Sequence, residues 1–252
     1  MNTLSGKLMN KTEYYNILID ILSTGEALTK CEKFFSSDKH NIIFFLNAHC
    51  FNLAQKNQTY QNALNTADLL LNDGIGIKLG GKLTGIQVKD NLNGTDLIPK
   101  ILTVAKNLNK NVYLLGGEEG IARVVQQKLE GQIPGISIVG VHNGFFSFDN
   151  DEDIVSDIVE NKTDLLIVGM GVPRQELWLM KNKEKLKGVK ISIAGGAVLD
   201  FLSGNVLRAP QLMRKTGTEW VFRIYQEPKR LFHRYFVGIP LFFLNLIKIK
   251  KD

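Results

Sequence analysis

The stretch LLIVGMGVPRQELW, residues 165–178, carries the pattern that decides the fold. Its apolar run is typical of a strand covered on both faces, and the run stops at two glycines. Pro173 and the polar residues Arg174, Gln175 and Glu176 follow, and proline suits the first turn of a helix. The stretch therefore predicts a buried strand that leads through a glycine loop into a helix.

Apolar, β-branched runs of the same kind recur along the chain, with helical patterns between them. Such alternation predicts an open, mostly parallel, Rossmann-like α/β sheet with helices on both faces. The predicted strands are 42–47, 67–71, 112–117, 136–140, 164–169 and 191–196, and the predicted helices are 94–108, 118–131, 150–162 and 173–186.

Composition limits the class of protein. The chain has 252 residues, of which 44% are hydrophobic and 22% charged, as in a soluble globular protein. It has two cysteines and no CxxC pair, which argues against a structural zinc and fits a reducing compartment. We expect no secretory signal and no transmembrane helix, because we find neither a basic segment leading into an apolar one nor about twenty consecutive apolar residues.

The positive charge is concentrated at the C-terminus. Residues 206–252 contain ten Lys or Arg and three Asp or Glu, whereas the rest of the chain contains 21 and 22. The strand and helix alternation also stops near Gly204. We therefore predict an α/β core over 1–205 and a basic, aromatic, helical appendage over 206–252, and such an appendage suggests an anionic partner.

Small or polar residues follow four of the predicted strands, in LLGGEEG, IVGMGVPRQE, IAGGAVLD and LLLNDGIG. Open α/β sheets bind ligands at the carboxyl ends of their strands, and glycine lets the backbone approach a phosphate or a sugar. Any single glycine pair is also compatible with a tight turn. The four together predict a nucleotide or nucleotide-sugar cleft that includes Gly116, Gly117, Gly169 and Gly171.

The standard nucleotide motifs are incomplete. In GMGVPR, Arg174 stands where the dinucleotide fingerprint G-x-G-x-x-G/A needs its third glycine, and GIGIKL fails in the same way at Leu79. We find no GxxxxGK[ST] loop, which excludes a P-loop protein. A nucleotide-dependent oxidoreductase remains an alternative that the broken fingerprint disfavours.

Several polar side chains at the strand ends are candidates for chemistry. Asp73 could accept a proton from an attacking hydroxyl, although Asn-Asp-Gly is also a common turn sequence. At the cleft mouth, Arg174 could reach a phosphate and Gln175 a base or sugar, unless both are ordinary solvent-exposed helix-start residues. Asn47 could bind a sugar, and Asp200 a ribose or base, or it is a helix-side acceptor. A lone histidine such as His49 is more often structural than a base.

Metal binding is not expected. The chain shows no His/Asp/Glu spacing typical of a metal triad and no DxD pair for a metal-bridged diphosphate. We therefore expect no cofactor and no metal, with arginine neutralising any diphosphate.

The motifs together resemble one family. In order along the chain they are NA at Asn47, ADLLLNDGIG, NGTDL, VYLLGG, NGFF, LLIVGMGVPRQELW, GGAVLDFLSG, RAP and EWVFRIYQEPKR. The sequence resembles the WecG/TagA/CpsF glycosyltransferases from about residue 41 to residue 235. The PRQE and EWxxR…EPxR blocks are the most specific of these matches.

The resemblance implies an inverting, metal-independent enzyme. Such an enzyme moves a sugar from a UDP-sugar to a sugar on undecaprenyl diphosphate, during bacterial surface polysaccharide or teichoic-acid linkage synthesis. It also implies that Asp73 is the base, that Gln175 lies near the donor, and that Arg223 and Arg230 close over the diphosphate. We expect Arg208 and Arg234 to assist them.

Two positions depart from the family pattern. Phe45 stands where the family often has a threonine, so a hydroxyl contact is lost or supplied elsewhere. His233 replaces the first arginine of an Arg-Arg-Tyr sequence, and a diphosphate contact there would depend on pH because histidine titrates near neutrality.

The tail suggests how such an enzyme reaches a lipid carrier. YFVGIPLFFLNLI is short and contains Pro240, and its aromatics with flanking Lys and Arg fit an interfacial anchor on anionic lipid. We expect a peripheral protein on the cytoplasmic face of the bacterial inner membrane. A buried core helix or a homo-oligomer contact is the alternative for this segment. A basic nucleic-acid-binding module is a further alternative; it explains the charged tail but not the cleft, so we expect no nucleic-acid partner.

Overall fold

The fold is built on one parallel sheet. The structure is a computed structural model that describes residues 11–83 and 85–249, with the backbone only at Lys215; the outer ends of the predicted core and appendage, 1–10 and 250–252, lie outside the described residues. Six strands form the sheet in the order β4-β3-β8-β7-β5-β6, and every neighbouring pair is parallel. The strands are β1 (Thr12–Tyr14), β2 (Ile17–Ile19), β3 (Asn41–Leu46), β4 (Leu69–Asn72), β5 (Asn111–Gly116), β6 (Ser137–His142), β7 (Leu165–Gly169) and β8 (Ile191–Ala194).

Helices cover both faces of the sheet, as predicted. Successive strand residues such as Ile43 and Phe44 belong to two different apolar cores, one on each face, which explains why the strands read as continuous apolar runs. One face is covered by α1 (Thr24–Phe35), α5 (Gly94–Asn107), α6 (Ile121–Gln132) and α9 (Val198–Ser203), and the other by α2 (Ala48–Ala54), α3 (Gln58–Thr66), α4 (Gly74–Leu83), α7 (Glu152–Glu160) and α8 (Arg174–Lys181).

An antiparallel hairpin of β1 and β2 precedes the sheet and was not predicted. Tyr14 is fully buried, and its hydroxyl donates to the backbone oxygen of Ile77 in α4. The carboxylate of Asp20 accepts a hydrogen bond from the backbone N–H of Leu70 in β4. These contacts fix the hairpin against α4 and β4, the helix and strand on either side of Asp73.

The described part of the C-terminal segment, which the sequence predicted to be helical, contains four helices. They are α10 (Gln211–Thr216), α11 (Glu219–Gln226), α12 (Pro228–Phe236) and α13 (Gly238–Ile249). Helix α13 packs on α2, and its Phe242 and Leu246 are buried in the core next to Phe51. The apolar run therefore contributes to the core as well as to the surface.

Helices α12 and α13 are separated by a single residue. Over Pro228–Ile249 they form a 22-residue stretch that is long and apolar enough to cross a membrane by length and composition alone. Core helices of soluble proteins pass the same test, so the expectation of no transmembrane helix stays a prediction. The buried Phe242 and Leu246 tie the stretch to the α/β body, and placing α13 in a membrane would break those contacts.

Candidate active site

A cavity of about 1160 Å³ lies at the carboxyl ends of the strands, where the sequence predicted a cleft. Loops of the α/β body form one side, and α11, α12 and α13 form the other. All the predicted site residues except Gly116 and Arg208 line it: Asn47, Asp73, Gly117, Gly169, Gly171, Arg174, Gln175, Asp200, Arg223, Arg230 and Arg234.

Asp73 and Asn47 follow adjacent strands and are hydrogen-bonded to each other. Asn47 is the N-cap of α2, where its Oδ1 accepts hydrogen bonds from the backbone N–H groups of His49 and Cys50, both at 3.1 Å. Its Nδ2 donates to Oδ2 of Asp73 over 3.3 Å. Asn47 therefore orients the carboxylate of Asp73, a role that the sequence did not predict.

The environment of Asp73 favours proton acceptance. Burial raises the pKa of Asp73, while the hydrogen bond from Asn47 and the positive charges of Arg234 and Arg223 oppose that rise. Asp73 is the single residue between β4 and α4, which begins at Gly74 with φ +83°. Asp73 lines the cavity from this connection.

The arginines of α11 and α12 approach the cavity as part of an ionic cluster. Arg230 Nη1 lies 3.0 Å from Glu227 Oε1, and Arg223 Nη2 lies 3.9 Å from Glu227 Oε2. The guanidinium of Arg223 also lies 5.0 Å above the ring of Phe201. Asp200 faces the same cluster; burial raises its pKa, and Arg230 opposes the rise. Sequence reasoning missed Glu227, although the EPKR motif contains it.

Gln175 and Glu176 are buried, so the expectation that they lie at the cleft mouth is wrong. Helix α8 docks with its first turn against the sheet, which leaves Gln175 2% and Glu176 1% exposed. Gln175 Oε1 accepts from the backbone N–H of Gly196 over 3.0 Å, and its Nε2 donates to Glu176 Oε1 over 2.8 Å. Both residues line the cavity from within the protein.

Arg174 is held by the loop that precedes α7. Its Nη2 donates to the backbone oxygen of Phe146, and its guanidinium lies 5.3 and 4.8 Å from the ring centres of Phe146 and Phe148. These contacts hold the arginine along the cavity wall.

The glycines bring two strand ends close together. Gly116 pairs with Gly169 across β5 and β7, and a Cβ atom at Gly116 would lie 2.3 Å from the backbone oxygen of Gly169. The need for glycine at Gly116 is therefore one of backbone packing, and this residue does not line the cavity. Gly117, Gly169 and Gly171 do line it.

Arg208 lies outside the cavity, contrary to prediction. Its Nη2 is 2.6 Å from Asp96 Oδ1 and its Nη1 is 3.5 Å from Glu219 Oε1. The guanidinium of Arg208 is therefore ion-paired with two carboxylates and links α5 to α11.

Two histidines, His49 and His233, line the cavity. His49 is partly buried, and burial followed by the charge of Arg234 lowers its pKa to about 4. It is therefore neutral near pH 7. His233 lines the cavity on the side of the C-terminal helices.

Among the described residues, no group of three or more His, Cys, Asp or Glu is arranged to hold a metal ion, and metal independence stays a prediction.

Comparison with known proteins identifies the family. The sequence profile described as "Glycosyl transferase WecG/TagA/CpsF family" matches residues 12–252. Relatives from Staphylococcus aureus strains MW2, MRSA252 and NCTC 8325 are each 27% identical over 243 residues, which is 96% of this chain and 94% of theirs. Each is named N-acetylglucosaminyldiphosphoundecaprenol N-acetyl-beta-D-mannosaminyltransferase. The comparisons support neither the oxidoreductase nor the nucleic-acid-binding alternative. The chain belongs to the WecG/TagA/CpsF family and is a glycosyltransferase.

Proposed function

We propose that this enzyme transfers a sugar from a UDP-sugar to a sugar carried on undecaprenyl diphosphate, in the synthesis of a bacterial surface polysaccharide. The observation that carries the proposal is the shared cavity, with the carboxylate of Asp73 on the body and three arginines on α11 and α12. The names of the relatives support the class of acceptor and make N-acetylmannosamine the first transferred sugar to test.

The proposed reaction is a single displacement. Asp73 takes the proton of the acceptor hydroxyl, whose oxygen bonds to the anomeric carbon from the face opposite UDP. The bond from that carbon to the diphosphate oxygen breaks, UDP leaves with the electron pair, and the configuration inverts. Arg223, Arg230 and Arg234 offset the charge that grows on the leaving diphosphate. No metal is assigned to this step.

The C-terminal helices are proposed to bind the cytoplasmic face of the membrane. Arg230 and Arg234 of α12 line the cavity. Phe232 and Phe236 stack on each other, are each 55% exposed, and lie about 200° round the helix from the two arginines. One helix would then present arginines to the diphosphate and aromatics to the lipid that carries it, as suits a peripheral protein.

The test is a donor screen with the full chain, anionic vesicles and a lipid-diphosphate-linked N-acetylglucosamine acceptor. We expect release of UDP from one UDP-sugar, dependent on acceptor and unaffected by EDTA. In Asp73→Asn the rate should fall by about 10²- to 10⁴-fold, as for loss of a general base. No release from any UDP-sugar would refute the proposed donor class, loss of release in EDTA would refute metal independence, and release at an unchanged rate in Asp73→Asn would refute the base.

A further inference from the structure

Glu176 has a carboxylate oxygen that is buried in the cavity wall and has no hydrogen-bond partner. The residue is 1% exposed and lines the cavity. Its Oε1 accepts the hydrogen bond from Gln175, but no described residue donates one to its Oε2. Buried polar atoms are nearly always hydrogen-bonded, so an unpartnered one needs a physical reason.

The protein around Glu176 does not supply the missing donor. The Gln175 amide is fixed in its orientation because its oxygen accepts the backbone N–H of Gly196. Cys50 on α2 and Tyr60 on α3 lie near enough for the charge of Glu176 to raise their pKa values further. Neither of them is hydrogen-bonded to its Oε2. Oε2 therefore has no donor, in a residue that lines the cavity.

The chemistry of that oxygen restricts its partner. Above its raised pKa of about 7, the ionised carboxyl of Glu176 accepts hydrogen bonds and repels other anions, so a phosphate does not fit. A neutral hydroxyl or amide N–H does fit, and the substrates of the proposed reaction carry such groups on both sugars.

We propose that Glu176 is a specificity-determining residue whose Oε2 accepts a hydrogen bond from a hydroxyl or amide N–H of a substrate sugar. The inference rests on the proposed function, because it takes the ligand to be a sugar nucleotide or the lipid-linked acceptor. A sugar that lacks the matching group would leave the carboxylate unpaired, and such sites reject such analogues strongly.

Isothermal titration calorimetry tests the inference without relying on turnover. UDP, the UDP-sugar selected by the donor screen and a short-chain lipid-diphosphate-linked sugar are titrated at pH 8, above the raised pKa of Glu176, into the wild type and Glu176→Gln. Glu160→Gln, an exposed glutamate at the end of α7, is the matched control. We expect Glu176→Gln to lower the affinity for one sugar-bearing ligand by about 10- to 100-fold, and the affinity for UDP by less than about twofold.

The outcomes separate the two proposals. Whichever sugar-bearing ligand loses affinity is the one that contacts Glu176. Equal affinities in Glu176→Gln and the wild type, or an equal loss for UDP itself, would overturn the inference and leave the proposed function intact. If no UDP-sugar binds the wild type, the proposed function fails and the inference with it.

Melting temperature without ligand distinguishes binding from a structural role. At pH 8, Glu176→Gln removes a buried charge and keeps the shape of the side chain, so we expect an unchanged or higher melting temperature at that pH. A lower melting temperature together with weaker binding of all three ligands would assign Glu176 to folding and overturn its role in specificity.

Discussion

The α/β body and the four C-terminal helices are stabilised in different ways. In the body, the strands are buried on both faces by apolar helices. In the C-terminal segment 206–249, the described side chains that are buried are only Ala209, Leu231, Phe242 and Leu246. The same segment leaves Tyr225 86% exposed and carries the cluster of Arg223, Glu227 and Arg230.

The body alone defines the fold, whereas the site needs residues from both regions. The body has the core that defines the fold and supplies the carboxylate of Asp73. The C-terminal helices supply the positive charge but have few buried contacts, which is typical of segments of low local stability. A bound diphosphate would add contacts between α11, α12 and the body, so substrate and helices should stabilise each other's position.

Removing an arginine of the C-terminal helices should greatly lower activity with little effect on stability. We expect Arg223→Ala and Arg230→Ala each to lower kcat by about 10²- to 10³-fold, as for loss of one charge-stabilising donor. Arg123→Ala, an exposed arginine of α6, is the control. UDP release and the melting temperature are measured together, and losses below about threefold would contradict a role at the diphosphate.

Phe242 should behave as part of the body although it lies in α13. Its side chain fills the core beside Phe51, so we expect Phe242→Ala to lower the free energy of unfolding by about 3–5 kcal/mol. The half-exposed Leu244 is the matched control, and Leu244→Ala should cost about 0.5 kcal/mol or less. Denaturant unfolding measures both. Equal effects would show that α13 is energetically independent of the body.

Glu176 should make the stability of the body depend on pH. Burial raises its pKa from the ordinary 4.5 to about 7, so the folded state holds a proton that the unfolded state releases. Stability should therefore fall as the pH rises from about 4.5 to 7, by roughly 3 kcal/mol for this group. Asp73, Asp200 and Glu219 shift in the same direction.

Comparison with Glu176→Gln isolates the contribution of Glu176 from those of the other acids. The fall in the free energy of unfolding between pH 5 and pH 8 should be smaller in Glu176→Gln than in the wild type. Identical pH dependences would show that Glu176 titrates normally.

The exposed aromatics should give the smallest effect. We expect Phe232→Ser or Phe236→Ser to weaken binding to anionic vesicles by about tenfold, the scale of one half-buried aromatic side chain. The control is Leu108→Ser, which removes an exposed apolar side chain after α5. Sedimentation with vesicles measures the binding, and equal affinity in all variants would contradict a membrane surface on α12.

The sheet could be predicted from the sequence because local strand preference and the pattern of buried residues agree there. Runs such as ISIA and LLIV combine β-branched residues, full burial and a following glycine, and all six predicted strands form. The hairpin of β1 and β2 was missed because its strands have three residues each and depend on tertiary contacts of Tyr14 and Asp20.

The part of the site that directly follows strands was predicted correctly, because strand direction determines its position. Asp73 and Asn47 follow strands directly, so their place at the sheet edge is fixed by chain direction. Gln175 was placed wrongly because sequence does not reveal which side of α8 docks on the sheet. Arg208 was placed wrongly because its partners, Asp96 and Glu219, come from distant parts of the chain.

Amide hydrogen exchange with and without UDP tests most directly whether body and helices share one site. The account predicts slower exchange on UDP binding both in the loops after β5, β7 and β8 and in α11 and α12. Protection confined to the loops of the body, with α11 and α12 unchanged, would contradict a diphosphate site completed by the C-terminal helices.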